Sequence, residues 1–150
     1  NPGEDMLPLR QIASSGEVSR LMLAVKTVLT EADPVPVLIF DEVDANIGGR
    51  VAVAVAEELS TIGRRHQVLS ITHLPQIAAA GLDHFQVTKR TDGERTITAM
   101  TPLRGSEREQ EILRMLGAPE HSAAAAGHAR EMLAAAAARR RQEGGEPCLQ

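Results

Sequence analysis

Aromatic residues are nearly missing from this sequence: it has no Trp and no Tyr, and its only Phe residues are Phe40 and Phe85. Its core must therefore be aliphatic, built from Val, Leu, Ile, Met and Ala, which suits helices packed on a parallel sheet. Such a composition does not suit a stacking platform for single-stranded nucleic acid, which needs exposed aromatics. Cysteine occurs once, at Cys148, so no internal disulfide can form and nothing points to an oxidising compartment. No run approaches the ~18 apolar residues of a membrane span, and no signal-peptide pattern opens the chain. The cytoplasm is the expected location, with no membrane partner. Excess positive charge is also lacking: the formal net charge is -4 over 150 residues. A DNA partner would need a local basic patch or another part of the molecule.

What is present reads as one α/β domain of ordinary size. Asn1 to Ile12, with Pro2, Gly3 and Pro8, reads as a loop. Val18, Leu21, Met22, Val25, Val28 and Leu29 recur at helical spacing and predict a helix from about Gly16 to about Glu31. Val37 to Phe40 is a short apolar run that stops at two acids, the signature of a strand buried on both faces. A second helix is expected over Arg50 to Ile62, a second strand over Gln67 to Thr72, and a short helix from Pro75 to Ala80. This alternation implies parallel neighbours in an α/β layer. His84 to Lys89 and Arg95 to Thr101, joined through Asp92-Gly93, predict a β-hairpin. Helices follow over Ser106 to Leu116 and Ser122 to Arg139, the second through an Ala-rich stretch that favours helix over disorder. Residues 1–141 form the expected globular part and 142–150 a flexible tail. The chain opens on Asn1, with a strong motif close behind, and reads as a fragment of a longer protein.

Three short runs carry chemistry. In Ala13-Ser14-Ser15-Gly16-Glu17-Val18-Ser19-Arg20 a small-residue turn opens onto a helix. Its outward N–H groups and its dipole suit a phosphate; equally, Ser14 or Ser15 with Glu17 makes an ordinary capping box. In Val37-Leu38-Ile39-Phe40-Asp41-Glu42 two carboxylates sit at the rim where α/β folds bind ligands. There Asp41 can hold Mg²⁺ as a hard oxygen ligand, and Glu42 can orient or deprotonate a water; the plain alternative is a solvated strand end. Ser70-Ile71-Thr72-His73 puts His73 after the next strand, where a neutral imidazole can donate to a phosphate oxygen or be a loop histidine. Asp44 to Gly49 fails as a calcium loop because Val55 stands where the closing acid belongs. The five His and one Cys lack zinc spacing. Arg139-Arg140-Arg141 reads as a cation cluster on its own helix dipole rather than a DNA contact.

Taken together and in this order, the runs resemble the second half of ABC-type ATPase heads: signature motif, Walker B, D-loop and switch histidine. On that resemblance Ser14, Ser15, Gly16 and Glu17 fall in the signature, with Ser15 standing where the family usually has glycine. Asp41 matches the magnesium-associated aspartate, Glu42 the catalytic glutamate, Asp44 the D-loop aspartate and His73 the switch histidine. Asp41-Glu42-Val43-Asp44-Ala45-Asn46-Ile47-Gly48-Gly49 is similar to the SMC-like chromosome-maintenance and repair branch. Asn1-Pro2-Gly3-Glu4, Ser19-Arg20-Leu21-Met22-Leu23-Ala24 and Thr72-His73-Leu74-Pro75-Gln76-Ile77-Ala78 are similar to the RecN family within it.

The resemblance implies the C-terminal half of an ABC-type P-loop head that hydrolyses ATP with Mg²⁺ in bacterial DNA double-strand break repair and recombination. No G-x-x-x-x-G-K-[ST] run occurs in the chain, so the phosphate-cradling half is an implied partner. A second copy of the head, sandwiching ATP, and DNA bound by the intact protein are the others. Asp41, Glu42 and His73 are expected on one rim, with Ser14 and its helix start away from them, serving the opposite subunit's nucleotide. Another ATPase of the same branch, or a non-hydrolytic α/β metal-binding module, are the alternative readings.

Overall fold

The structure is a computed structural model that describes residues 13–92, 95–119 and 122–142. The expected N-terminal loop, the Asn1-Pro2-Gly3-Glu4 run, Gly93 of the hairpin turn, and the tail beyond Gln142 with Cys148 lie outside the described residues. The chain divides into two compact units, Asn1–Thr72 and His73–Gln150.

In the first unit, α1 (Ser15–Leu29), β1 (Val37–Phe40), α2 (Gly49–Ile62) and β2 (Gln67–Ser70) follow one another. The two strands pair in parallel, Val37 opposite Gln67 and Phe40 opposite Ser70. This is the β–α–β arrangement that two strands separated by a helix require. Helix α2 buries Ala52, Val55, Ala56, Leu59 and Ile62, a stripe at helical spacing. With Leu38, Phe40 and Val43 it makes a core that is aliphatic apart from Phe40. Gly63 ends the helix, its N–H donating to Leu59 O.

Helix α1 packs the other way round from its apolar pattern. Its buried residues are Gly16 and Leu23. The stripe that marks it as a helix is exposed, from Val18 at 37% to Val28 at 82%. The face turned inward is the small and polar one, Gly16, Ser19, Arg20 and Leu23, spaced i, i+3, i+4 and i+7. The sheet is similarly bare. Beyond β1–β2 no further strand joins it among the described residues, and Ile39 and Ile71 are exposed.

The second unit contains α3 (Pro75–Ala80), a hairpin of β3 (His84–Asp92) and β4 (Arg95–Leu103), α4 (Gly105–Met115) and α5 (Ala123–Gln142). The hairpin runs from the pair His84–Leu103 to Asp92–Arg95, so at their C-terminal ends β3 is three residues and β4 two residues longer than the β-branched runs suggest. Ala78, Ala79, Ile112 and Ala129 form its buried centre, with Leu113, Leu116, Met132 and Leu133 packed on it. Alanines at these positions let α3, α4 and α5 approach closely.

Two arginines fasten α3. Arg108 donates to the carbonyls of Ala78, Ala79, Gly81 and Leu82. Arg140 donates to those of Ala80 and Gly81. These are the orphan acceptors of a helix C-terminus, on a six-residue helix with no side-chain N-cap. The arginine run was expected to serve the dipole of its own helix. Arg140 instead reaches another one, because α5 continues to Gln142 and its last turns lie beside the end of α3. Burial, and then the nearby charge of Arg140, hold the Arg108 pKa below the usual arginine value.

Candidate functional site

The first unit gathers most of the chemistry-bearing residues around the loop that leaves β1. Asp41 and Glu42 follow the strand directly and are exposed, whereas Val43 and Asp44 are buried. Glu42 has a φ of 58°, and so has Asn46. Asparagine tolerates the left-handed region, but a glutamate there is uncommon and is held by its surroundings. Ala45 N–H donates to Glu42 O at 3.0 Å and Ile47 N–H to Asp44 O at 3.4 Å, so 42–47 is a tight double turn. Buried Asp44 accepts the Thr72 hydroxyl at 2.6 Å, which ties the turn to the segment that leaves β2.

Helix α1 grips the same loop from its inward face. Ser15 Oγ donates to Glu42 Oε2. Ser19 Oγ donates to Asp41 O at 2.9 Å, and Arg20 Nη1 to Val43 O at 3.3 Å and Ala45 O at 2.8 Å. Gly16 makes the approach possible. A Cβ at this position would lie 2.8 Å from Ala45 Cβ and 3.0 Å from Glu42 O, closer than side chains tolerate. The expectation that this helix start stands apart from the acidic pair is therefore corrected. Within one chain Ser15 is in hydrogen-bond contact with Glu42, because a glycine at the second helical position lets the backbone come down onto the loop.

Ser14 itself is turned elsewhere. Its N–H and its hydroxyl both donate to Glu17 Oε2 at 2.8 Å, and its Oγ accepts from Glu17 N–H at 3.3 Å. This is the capping box, reciprocal between the cap and the third helical residue. Hydrogen bonds donated by the Ser14 backbone N–H and then by its hydroxyl hold the Glu17 carboxyl below the usual carboxylate range. The carboxylate of Asp41 makes no hydrogen bond among the described residues and is solvent-exposed. Magnesium takes one or two protein carboxylates and completes its shell with water and phosphate, so a lone exposed Asp41 fits such a role. Among the described residues no three His, Cys, Asp or Glu side chains gather as a self-sufficient metal site.

His73 opens the second unit and is exposed, three residues after the end of β2. Ser14, Ser15, Gly16, Glu17, Asp41, Glu42 and Asp44 are thus brought together in the first unit, while His73 belongs to the other. Sequence reading gave Ser19 and Arg20 no role, although both bond the site loop. The available signal was their spacing from Gly16, three and four residues on, which puts all three on one helix face.

A groove of about 230 Å³ beside this site is lined by Val18, Ser19, Met22, Lys26, Leu38, Ile39 and Phe40. No helix among the described residues is long and apolar enough to cross a membrane.

No family model matches the chain. It is, however, 53% identical over 132 residues to the DNA repair protein RecN of Deinococcus radiodurans. To the proteins of the same name from Treponema pallidum and Bacillus subtilis it is 49% and 42% identical, also over 132 residues. The chain belongs to the RecN family. The matches cover 88% of the chain and 23% of each of these relatives, so it corresponds to about a quarter of a RecN protein. A match of 132 of the 150 residues extends over parts of both units of the fold.

Proposed function

We propose that this RecN-family chain is the C-terminal part of an ABC/SMC-like ATPase head that acts in DNA double-strand break repair and recombination. The observation that carries the reading is the grip of α1 on the loop after β1. It presents two adjacent exposed carboxylates, one of them at positive φ, beside the start of a helix. Strained backbone held by neighbours concentrates at functional sites.

In this reading Asp41 holds Mg²⁺, and Glu42 orients the attacking water or takes its proton. His73 donates a hydrogen bond to a phosphate oxygen, and Asp44 keeps the turn in shape through Thr72. Mg²⁺ bound with ATP supplies charge neutralisation at the phosphates. The start of α1, with Ser14 and the N–H groups of Ser15, Gly16 and Glu17, faces nucleotide held by a second copy of the head. The capping box occupies Ser14 and the Glu17 N–H, and the Ser15 hydroxyl bonds Glu42, so this engagement uses the N–H groups of Ser15 and Gly16 first, and Ser14 only where its cap opens. The phosphate-cradling half lies in the rest of the protein and covers the apolar stripe of α1. Exposure of that stripe together with Ile39 and Ile71 of the bare sheet supports this partner. DNA is met by the intact protein.

The test is substitution in the intact protein. Glu42→Gln keeps the size of the side chain but cannot take a proton. ATP affinity should stay near normal while turnover falls by roughly 10²–10⁴-fold, the usual range for a general base. The ATP-bound head dimer should accumulate. Asp41→Asn should instead weaken the dependence on magnesium itself, because a metal ligand has lost its charge. Near-normal turnover in Glu42→Gln would remove Glu42 from the catalytic role.

A further inference from the structure

The four contacts of α1 with the site loop are not equivalent. Those of Ser19 and Arg20 end on backbone oxygens, of Asp41, Val43 and Ala45, and so fix the path of the chain. The contact of Ser15 ends on the Glu42 carboxylate. It is the one side-chain hydrogen bond that this carboxylate makes among the described residues. Glutamate has three rotatable side-chain bonds, and an exposed one samples many rotamers unless something holds it. The backbone under it is already committed to positive φ, which sets the direction of Cβ but not of the carboxylate. The neighbouring hydroxyl, Ser14, is occupied by Glu17 and does not compete. We infer that Ser15 is a positioning residue for Glu42: its hydroxyl selects the carboxylate orientation that acts on water, within the same chain.

The inference rests on the proposed role of Glu42, and it adds a specific consequence. A small residue without a hydroxyl at position 15 keeps the helix start but frees the carboxylate. Losing a hydrogen bond to a charged group is worth about 1.5–3 kcal/mol, which is roughly one to two powers of ten in rate when the orientation matters only at the chemical step. In the intact protein Ser15→Ala should therefore lower kcat roughly 10- to 100-fold and change the KM for ATP by less than about twofold. Ser15→Thr, which keeps the hydroxyl, should recover most of the rate. In a Glu42→Gln background Ser15→Ala should cause no further loss, because the group it positions is already disabled.

Three outcomes overturn the assignment. If Glu42→Gln is slow but Ser15→Ala alone turns over normally, only the role of Ser15 fails. If Ser15→Ala lowers the rate by the same factor in both backgrounds, or raises KM strongly, Ser15 acts on nucleotide directly and not through Glu42. If Glu42→Gln itself is near normal, the proposed role of Glu42 fails, and that of Ser15 with it.

Discussion

Gly16 is the least replaceable position at the candidate site, and the reason is space. Gly16→Ala sets a methyl 2.8 Å from Ala45 Cβ and 3.0 Å from Glu42 O. The start of α1 has to lift from the loop, at a cost of about 1–3 kcal/mol as for other overpacked sites. Gly48→Ala meets nothing within 4 Å, and its effect should stay within about 0.5 kcal/mol. Denaturant unfolding of the two variants checks the contrast. Two residues of the second unit give it a pH dependence. Burial, and then the charge of Arg108, push the His84 pKa down. Hydrogen bonding to Arg114 leads the causes that pull the Glu111 carboxyl below its usual range. In both cases the unfolded chain binds the proton more readily, so stability rises with pH. The part due to His84 is complete above about 6.5, its ordinary value, and is lost as pH falls toward the folded value. The part due to Glu111 is complete above about 4.3 and is lost as pH falls through its lowered folded value. Unfolding midpoints measured from pH 8 to 3 should drop in two stages. His84→Gln should remove the upper stage and Glu111→Gln the lower. The acidic pair and the capping box were legible in the sequence, because short polar runs at element ends keep their meaning locally. Ser15 on Glu42, Arg20 on Val43 and Ala45, and Arg108 on α3 were not. A donor's residue type says nothing about which distant carbonyl it reaches.

At the scale of elements, every helix and strand expected from periodicity is present, with ends shifted by a few residues at most. Leu103 extends β4 through Pro102, which pairs opposite Phe85; a two-stranded hairpin has edges that tolerate a proline. Helix α5 runs past Arg139 to Gln142, since arginine is a good helix former and nothing stops the helix there. Inside α5 Gly127 has open space where a Cβ would go. Gly127→Ala should stabilise the second unit by about 0.5–1 kcal/mol, through helix propensity alone. Arg108→Ala should do the opposite. It strips four carbonyls at the end of α3 of a donor, and a loss of roughly 3 kcal/mol is expected. Arg108→Lys should fall between, because a single ammonium cannot reproduce the fork. Thermal unfolding of the three variants orders them: Gly127→Ala above the parent, Arg108→Lys below it, Arg108→Ala lowest. The apolar stripe of α1 shows what periodicity does and does not reveal. It located the helix correctly, yet the face that packs within the chain is the one bearing Gly16, Ser19, Arg20 and Leu23.

For the whole molecule, the split at Thr72 and His73 was not legible in the sequence. The turn residues there look like those of any strand-to-helix connection, and no composition shift marks it. The chain alone should show no magnesium-dependent ATP hydrolysis above background, since no G-x-x-x-x-G-K-[ST] run is available to it. Robust turnover by the purified chain would overturn the division of labour proposed above. The bare stripe of α1, with Leu21, Met22, Val25, Val28 and Leu29 all exposed, has a consequence in the cell as well. Uncovered apolar surface is what chaperones and proteases engage. Substitutions that loosen whatever covers this helix would therefore be felt first as a fall in the amount of protein, ahead of any change in its rate, since a small increase in the open population feeds degradation directly.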